Sequence, residues 1–143
     1  MTRERFLVQS YGDNIEGTEF GLAKLMALLG DHSDAVIVVP QIGQVKDTLL
    51  VKVLGEKLSK KLIKDRVLLL ADGKKLSLCS HSTLKNYRHA DLYLALWGTE
   101  NMIMDIEDLT QWKAAILVTW APKDSEKWSA TYPVHVIYDD KKV

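Results

Sequence analysis

Three carboxylates in this chain, Asp13, Glu19 and Glu100, have the residue type and placement for acid/base work. Two carboxylates held close together separate their pKa values, so that one donates a proton while the other accepts one. Glu19 falls one turn into a predicted helix and Glu100 just after a predicted strand, so both are expected to face one crevice. His81, in the run Ser80-His81-Ser82-Thr83, is the residue type of a general base, with Ser80 or Ser82 as its partner. Trp97 and Trp120 offer rings on which a planar ligand stacks, or else cap the core at the sheet rim. Ser10, Tyr11, Gly12, Asn14, Gly17, Thr18, Gln41, Gly98 and Thr99 complete the ligand-binding candidates, a small, polar, glycine-containing set.

The motifs around these residues exclude more than they assign. Gly12, Gly17 and Thr18 spell G-x-x-x-x-G-T. A phosphate-binding P-loop needs lysine and then a hydroxyl after its second glycine, and here Thr18 and Glu19 stand in those places. The dinucleotide fingerprint G-x-G-x-x-G is absent, as is the G-x-S-x-G elbow of α/β hydrolases. The stretch YGDNIEGTEF resembles the phosphate loop of flavodoxins in its aromatic-Gly start and Thr-Glu-aromatic finish. Asp13, Asn14, Ile15 and Glu16 stand where that loop has its hydroxyl-rich centre. Asp13, Glu16 and Glu19 would repel a phosphate bound beside them, whereas a helix dipole accounts for acids at a helix start. No metal is expected: Cys79 and His81 have no second pair at ligand spacing, and His32, His89 and His135 are scattered. Cys79 reads as a half-buried strand residue, and no cofactor is assigned.

The elements that must position these residues follow from periodicity. Phe6 to Ser10 predicts a strand, Tyr11 to Asn14 a turn, and Asp13 with Glu16 a capping box. Leu22, Leu25, Met26 and Leu29 mark one face of a helix, closed by Gly30 as a left-handed residue. Ala35 to Val39 is a short β-branched run of the kind buried in parallel sheets, stopped by Pro40. Asp47 is expected to cap a second helix with Val51, Leu54, Leu58 and Leu62 on its inner stripe. Gly55 costs that helix roughly 1 kcal/mol relative to Ala. Val67 to Ala71 predicts a third buried strand. Asp72-Gly73 is a hairpin signal, and the alternation Leu76, Leu78 predicts a short antiparallel excursion. Ser82 to His89 reads as a short helix or loop. Asp91 to Trp97 predicts a strand closed by Gly98, followed by a helix from Thr99 or Asn101 to Leu109. Ala114 to Trp120 is another strand, ended by Pro122. Asp124 to Ala130 is a helical turn, and Val134 to Tyr138 a last strand at an edge.

Strands alternating with helices predict an α/β fold, a three-layer Rossmann-like or flavodoxin-like domain. Its sheet should be mainly parallel, of five to six strands, with helices on both faces and an antiparallel excursion around residues 72–80. The chain of 143 residues fits one domain, 1–143. Nineteen basic residues balance nineteen acidic ones. Lys57, Lys60, Lys61 and Lys64 share a helix with Glu56 and Asp65, so they read as a solvated face and no nucleic-acid partner is expected. A single cysteine fits a reducing compartment, and no apolar run reaches membrane-spanning length, so the chain reads as cytoplasmic with no membrane partner.

In such sheets ligands bind beyond the carboxyl ends of the strands, where strand order reverses. The residues named above fall there. The first expectation is therefore a small ligand of nucleotide, nucleoside or related sugar type, with group transfer or hydrolysis as the reaction if the site is catalytic. Two alternatives stand beside it. One is a non-catalytic module that binds a protein or a second copy of itself through an edge strand. The other is a flavin-binding electron-transfer protein.

Overall fold

The computed structural model describes residues 3–10, 14–41, 50–51, 54–70, 73–109 and 111–139. The turn residues Tyr11, Gly12 and Asp13, and the expected helix cap Asp47, lie outside these. The strands are β1 (Glu4–Gln9), β2 (Asp34–Val39), β3 (Val67–Leu69), β4 (Lys75–Ser80), β5 (Leu92–Gly98), β6 (Ala114–Thr119) and β7 (His135–Asp139). They form one seven-stranded sheet in the order β3-β4-β2-β5-β6-β1-β7, parallel throughout except for the β3–β4 pair. The helices are α1 (Ile15–Leu29), α2 (Glu56–Asp65), α3 (Glu100–Glu107) and α4 (Glu126–Thr131), with 3-10 helices at His81–Asn86 and Pro122–Ser125.

Side-chain alternation along the strands sorts the core into two layers. Phe6, Val8, Ile37, Leu94, Leu96, Ile116 and Val118 point to a first face, covered by α1 and α2. Leu7, Val36, Val38, Tyr93, Ala95, Ala115 and Leu117 point to a second face, covered by the 3-10 helix at His81–Asn86, α3 and α4. Helices on both faces explain why β5 and β6 are buried at every position and largely apolar: a central parallel strand meets no water on either side. Two glycines let α1 settle close. A Cβ at Gly21 would lie 2.5 Å from Val118 Cγ2, and one at Gly17 would lie 3.0 Å from Ser10 Cβ.

Several local expectations are corrected. The antiparallel pair lies where Asp72-Gly73 places it, but the strand running against the sheet is β3. β4 is parallel to β2. The reason is burial: Leu76 and Leu78 are buried on the first face and Ser77 and Cys79 on the second, whereas β3 buries only Leu68. Gly30 has φ −56°, so α1 ends in right-handed geometry and not in a left-handed cap. The α1 cap is Asn14 rather than Asp13, its side chain accepting from the Gly17 amide at 2.9 Å. On α2 the inner positions are Ser59 and Leu62, while Leu58 is exposed. Leu50, Val51 and Leu54 are helical ahead of α2, with Leu50 buried and Leu54 packed on the first-face core, and Gly55 at φ +86° separates them from α2. The Gly55 carbonyl accepts from the Ser59 hydroxyl at 2.7 Å, which lets a serine be buried there.

A buried ion pair ties the second face together at the other end of the sheet. Arg5 on β1 donates from Nε (2.6 Å) and Nη2 (2.9 Å) to the Glu107 carboxylate at the end of α3. Trp128 Nε1 on α4 donates to the same carboxylate at 2.7 Å. The guanidinium lies 4.2 Å from the Tyr132 ring centroid and 5.4 Å from that of Trp112. Among the described residues no buried side-chain polar atom lacks a partner. No helix among them is long and apolar enough to cross a membrane.

Candidate functional site

Strand order decides where an opening can lie. β1 and β6 are neighbours, yet β1 leads to α1 on the first face and β6 to α4 on the second. β2 and β5 are also neighbours, and β5 leads to α3 on the second face while Leu50 and α2, after β2, cover the first. Where adjacent strands send their exits to opposite faces, a crevice opens above the carboxyl ends.

The β1/β6 mouth is stitched by hydrogen bonds. The Ser10 amide donates to Thr119 Oγ1 at 3.0 Å, the Ser10 hydroxyl to the Thr119 carbonyl at 3.0 Å, and the Thr119 hydroxyl to the Ser10 carbonyl at 2.8 Å. Ser10 is thus a buried brace. Thr119, a partner that sequence reading missed, is buried beside it with nothing in its local pattern to distinguish it from a core strand residue.

The start of α1 is equally well held. Asn14 caps the helix with its side-chain oxygen and donates from Nδ2 to the Tyr138 hydroxyl at 3.2 Å. Gly17 is buried against Ser10 and Tyr138. Thr18, buried, donates to the Asn14 carbonyl at 3.0 Å and accepts from Trp97 Nε1 at 3.1 Å. Thr18 therefore faces the sheet, and its hydroxyl is held inside the protein.

The two tryptophans part company. Trp97 is 8% exposed and belongs to the first-face core, whereas Trp120 is 48% exposed at the exit of β6. Trp97 has φ +55°, which for a bulky side chain is a true outlier costing about 1–3 kcal/mol. The β5–β6 register breaks between Leu96 and Gly98, so Trp97 is the extra residue of a β-bulge. Gly98 is buried, and a Cβ there would lie 2.8 Å from Leu117 Cδ1. Thr99 caps α3 by accepting from the Met102 amide at 3.3 Å, and is otherwise exposed with Gln41.

The carboxylates are distributed over the layers. Glu19 is half-buried in the second turn of α1 and Glu100 is the half-buried first residue of α3. Those helices cover opposite faces of the sheet. His81 follows β4 and engages Asp105 of α3, Nε2 to Oδ2 at 2.5 Å. The Ser80, Ser82 and Thr83 hydroxyls bond to one another, with Ser80 Oγ 3.0 Å from Ser82 Oγ and 3.2 Å from Thr83 Oγ1. A shallow cleft of about 310 Å³ opens along this flank, lined by His81, Ser82, Lys85, Arg88, Asp105 and Asp108 over Leu84 and Leu109. Cys79 is buried in the second-face core, and loss of solvation pushes its thiol up to about 12, with a smaller opposing effect from the Thr83 side chain. A thiol held protonated is a poor nucleophile. Among the described residues no three His, Cys, Asp or Glu side chains gather to hold a metal.

No protein family matches the chain, and no curated protein matches it in sequence. Among solved structures it is similar to a mutant of the large terminase ATPase domain of Thermus phage P74-26, at 13% identity and a TM-score of 0.45. The likeness covers 84% of this chain and 61% of that one, so the chain spans about three fifths of the phage domain's length. A likeness at this level says nothing of ligand or reaction.

Proposed function

We propose that the chain binds a small ligand of nucleotide or nucleoside type in the crevice above the carboxyl ends of β2, β5, β6 and β1. One observation carries this reading: the exits of both adjacent pairs, β1/β6 and β2/β5, part to opposite faces of the sheet. Trp120 supplies the exposed ring on which a base or sugar face stacks. Gln41 and Thr99 supply exposed polar groups at the β2 and β5 exits. Glu19 and Glu100 are the candidates for proton transfer if the bound ligand is turned over.

The test is a thermal-shift screen against nucleotides, nucleosides and sugar phosphates, because a ligand that prefers the native state raises the melting temperature by mass action. A stacked base is worth roughly 1–3 kcal/mol. Trp120→Ala should therefore weaken the best compound about 5- to 150-fold while leaving the melting temperature of the free protein nearly unchanged. A panel with no stabilising member refutes the reading.

A second reading is favoured by the sheet edges. Leu69 on β3 is 80% exposed and Val136 on β7 is 52% exposed, so both outer strands of the sheet present apolar side chains of the kind a second chain can pair beside. Pairing of an edge with a second copy predicts a dimer in light scattering that Leu69→Lys or Val136→Lys converts to monomer. A wild-type monomer at high concentration refutes it.

A further inference from the structure

We infer that Trp97 is a positioning residue for the rim site, an inference that rests on the function proposed above. It clamps the first turns of α1 to the end of β5, and ligand affinity at the rim depends on that clamp.

The alternation of β5 shows that its side chain has been redirected. Leu92, Leu94 and Leu96 lie on the first face, and Tyr93 and Ala95 on the second. Continued regularly, the strand would send Trp97 to the second face. It lies instead in the first-face core beside Leu96. The bulge between Leu96 and Gly98 and the left-handed backbone at Trp97 produce this reversal. Bulges of this kind re-aim side chains and are over-represented next to sites. Glycine would adopt the left-handed geometry without strain, but the adjacent glycine, Gly98, is fixed by its close approach to Leu117. The strained position is held by an indole.

The indole N–H is spent on α1. Trp97 Nε1 donates to Thr18 Oγ1, Thr18 Oγ1 donates to the Asn14 carbonyl, and Asn14 Nδ2 donates to the Tyr138 hydroxyl. One hydrogen-bonded line thus runs from β5 through the first turn of α1 to β7. It crosses the rim between the β5 exit and the β1–α1 junction, where the proposed ligand sits. Strain that persists at a rim residue is accounted for when the geometry it enforces is used. Packing alone would be served by a second-face side chain with ordinary backbone.

Trp97→Phe keeps the ring and removes the donor; Thr18→Val keeps the volume and removes the acceptor. Hydrogen exchange of the Thr18 amide, which bonds the Asn14 carbonyl at 3.0 Å, reports the first turn directly. Each variant should raise that exchange about fivefold relative to amides of α3, the change expected for one neutral hydrogen bond. Each should weaken the best-stabilising nucleotide or nucleoside by a similar factor, and the double variant should be no weaker than either single one. Unchanged Thr18 exchange in both variants overturns the clamp. Raised exchange with unchanged affinity overturns its link to the ligand. Exchange decides the clamp on its own, so a panel with no binder refutes the proposed function without obscuring this result. If Trp97→Phe does not fold, Thr18→Val carries the same measurement.

Discussion

Replacing Glu107 by leucine leaves the Arg5 guanidinium buried without its anion. Arg5 is 7% exposed and Glu107 8%, so water cannot take the missing partner's place. Two charge-assisted bonds from Arg5 and one from Trp128 vanish together. Breaking a buried pair by removing one partner costs about 3–5 kcal/mol. Against a typical total stability of roughly 5–15 kcal/mol this is a large fraction. For a chain of this size it lowers the melting temperature by about 10–15 °C. Removing both charges behaves differently. In Arg5→Met/Glu107→Leu no buried charge remains, and the residual costs are the Trp128 N–H without an acceptor, about 1–3 kcal/mol, and the lost cation–ring contacts with Tyr132 and Trp112. The double variant should therefore be no less stable than Glu107→Leu, and the cycle should show a coupling of at least about 2 kcal/mol, within the range for contacting residues. Urea unfolding followed by far-ultraviolet circular dichroism is the assay, because tryptophan emission would report changes at Trp112 and Trp128 themselves. A loss below about 1 kcal/mol for Glu107→Leu, or additivity of the two single variants within about 0.5 kcal/mol, would refute the reasoning.

Further outcomes follow from close packing, capping and burial. Gly21→Ala gains roughly 1 kcal/mol of helix propensity but sets a Cβ 2.5 Å from Val118 Cγ2. Overpacking costs about 1–3 kcal/mol, so the variant should lose stability in urea, and Val118→Ala in the same chain should restore part of it. Asn14→Ala removes the cap bond to Gly17 and the bond to Tyr138, and should cost about 1–2 kcal/mol. Burial pushes the Cys79 thiol from 9.0 and the Tyr93 hydroxyl from 10.0 up to about 12 each. The folded state then holds protons that the unfolded chain has released. Stability is full below about pH 9 and falls as pH rises from 9 towards 12, with Cys79→Ala flattening the decline between pH 9 and 10 in urea titrations. Glu19→Gln and Glu100→Gln, tested singly against the best compound of the ligand screen, should lower turnover of any substrate by at least tenfold if proton transfer runs through them. Unaltered turnover and affinity remove both.

The apolar strands were legible because periodicity and β-branching report burial directly. AVIVV and AAILVT became central parallel strands for the reason their composition suggests: both faces are covered. The parallel rim was legible too, since alternating strands and helices leave few other topologies. What failed was local chemistry whose outcome a distant partner decides. VLLLA reads as buried as AVIVV, but at the end of the sheet Leu68 is buried and Leu70 half-buried on the first-face core, while Val67 and Leu69 are exposed. Trp97 reads equally as a stacking ring and as a core cap, and a bulge decides for the core. Ser10 and Thr18 read as polar ligands, while their hydroxyls meet Thr119, Asn14 and Trp97 at sequence separations no pattern displays. Glu107 looks like any helical acid until Arg5 arrives from the other end of the chain.

The sheet order also fixes when this protein can fold. Among the described strands β1 pairs with β6 and β7, which follow it far along the chain: Leu7 lies beside Leu117 on one side and Val136 on the other. On a ribosome, the middle strands can assemble while the leading segment waits, its greasy face without a lodging. Pairings this remote in sequence are intrinsically slow to form. Truncation after β5 should leave β1 without its sheet neighbours, so the docking of β1 waits on the segment that carries β6 and β7.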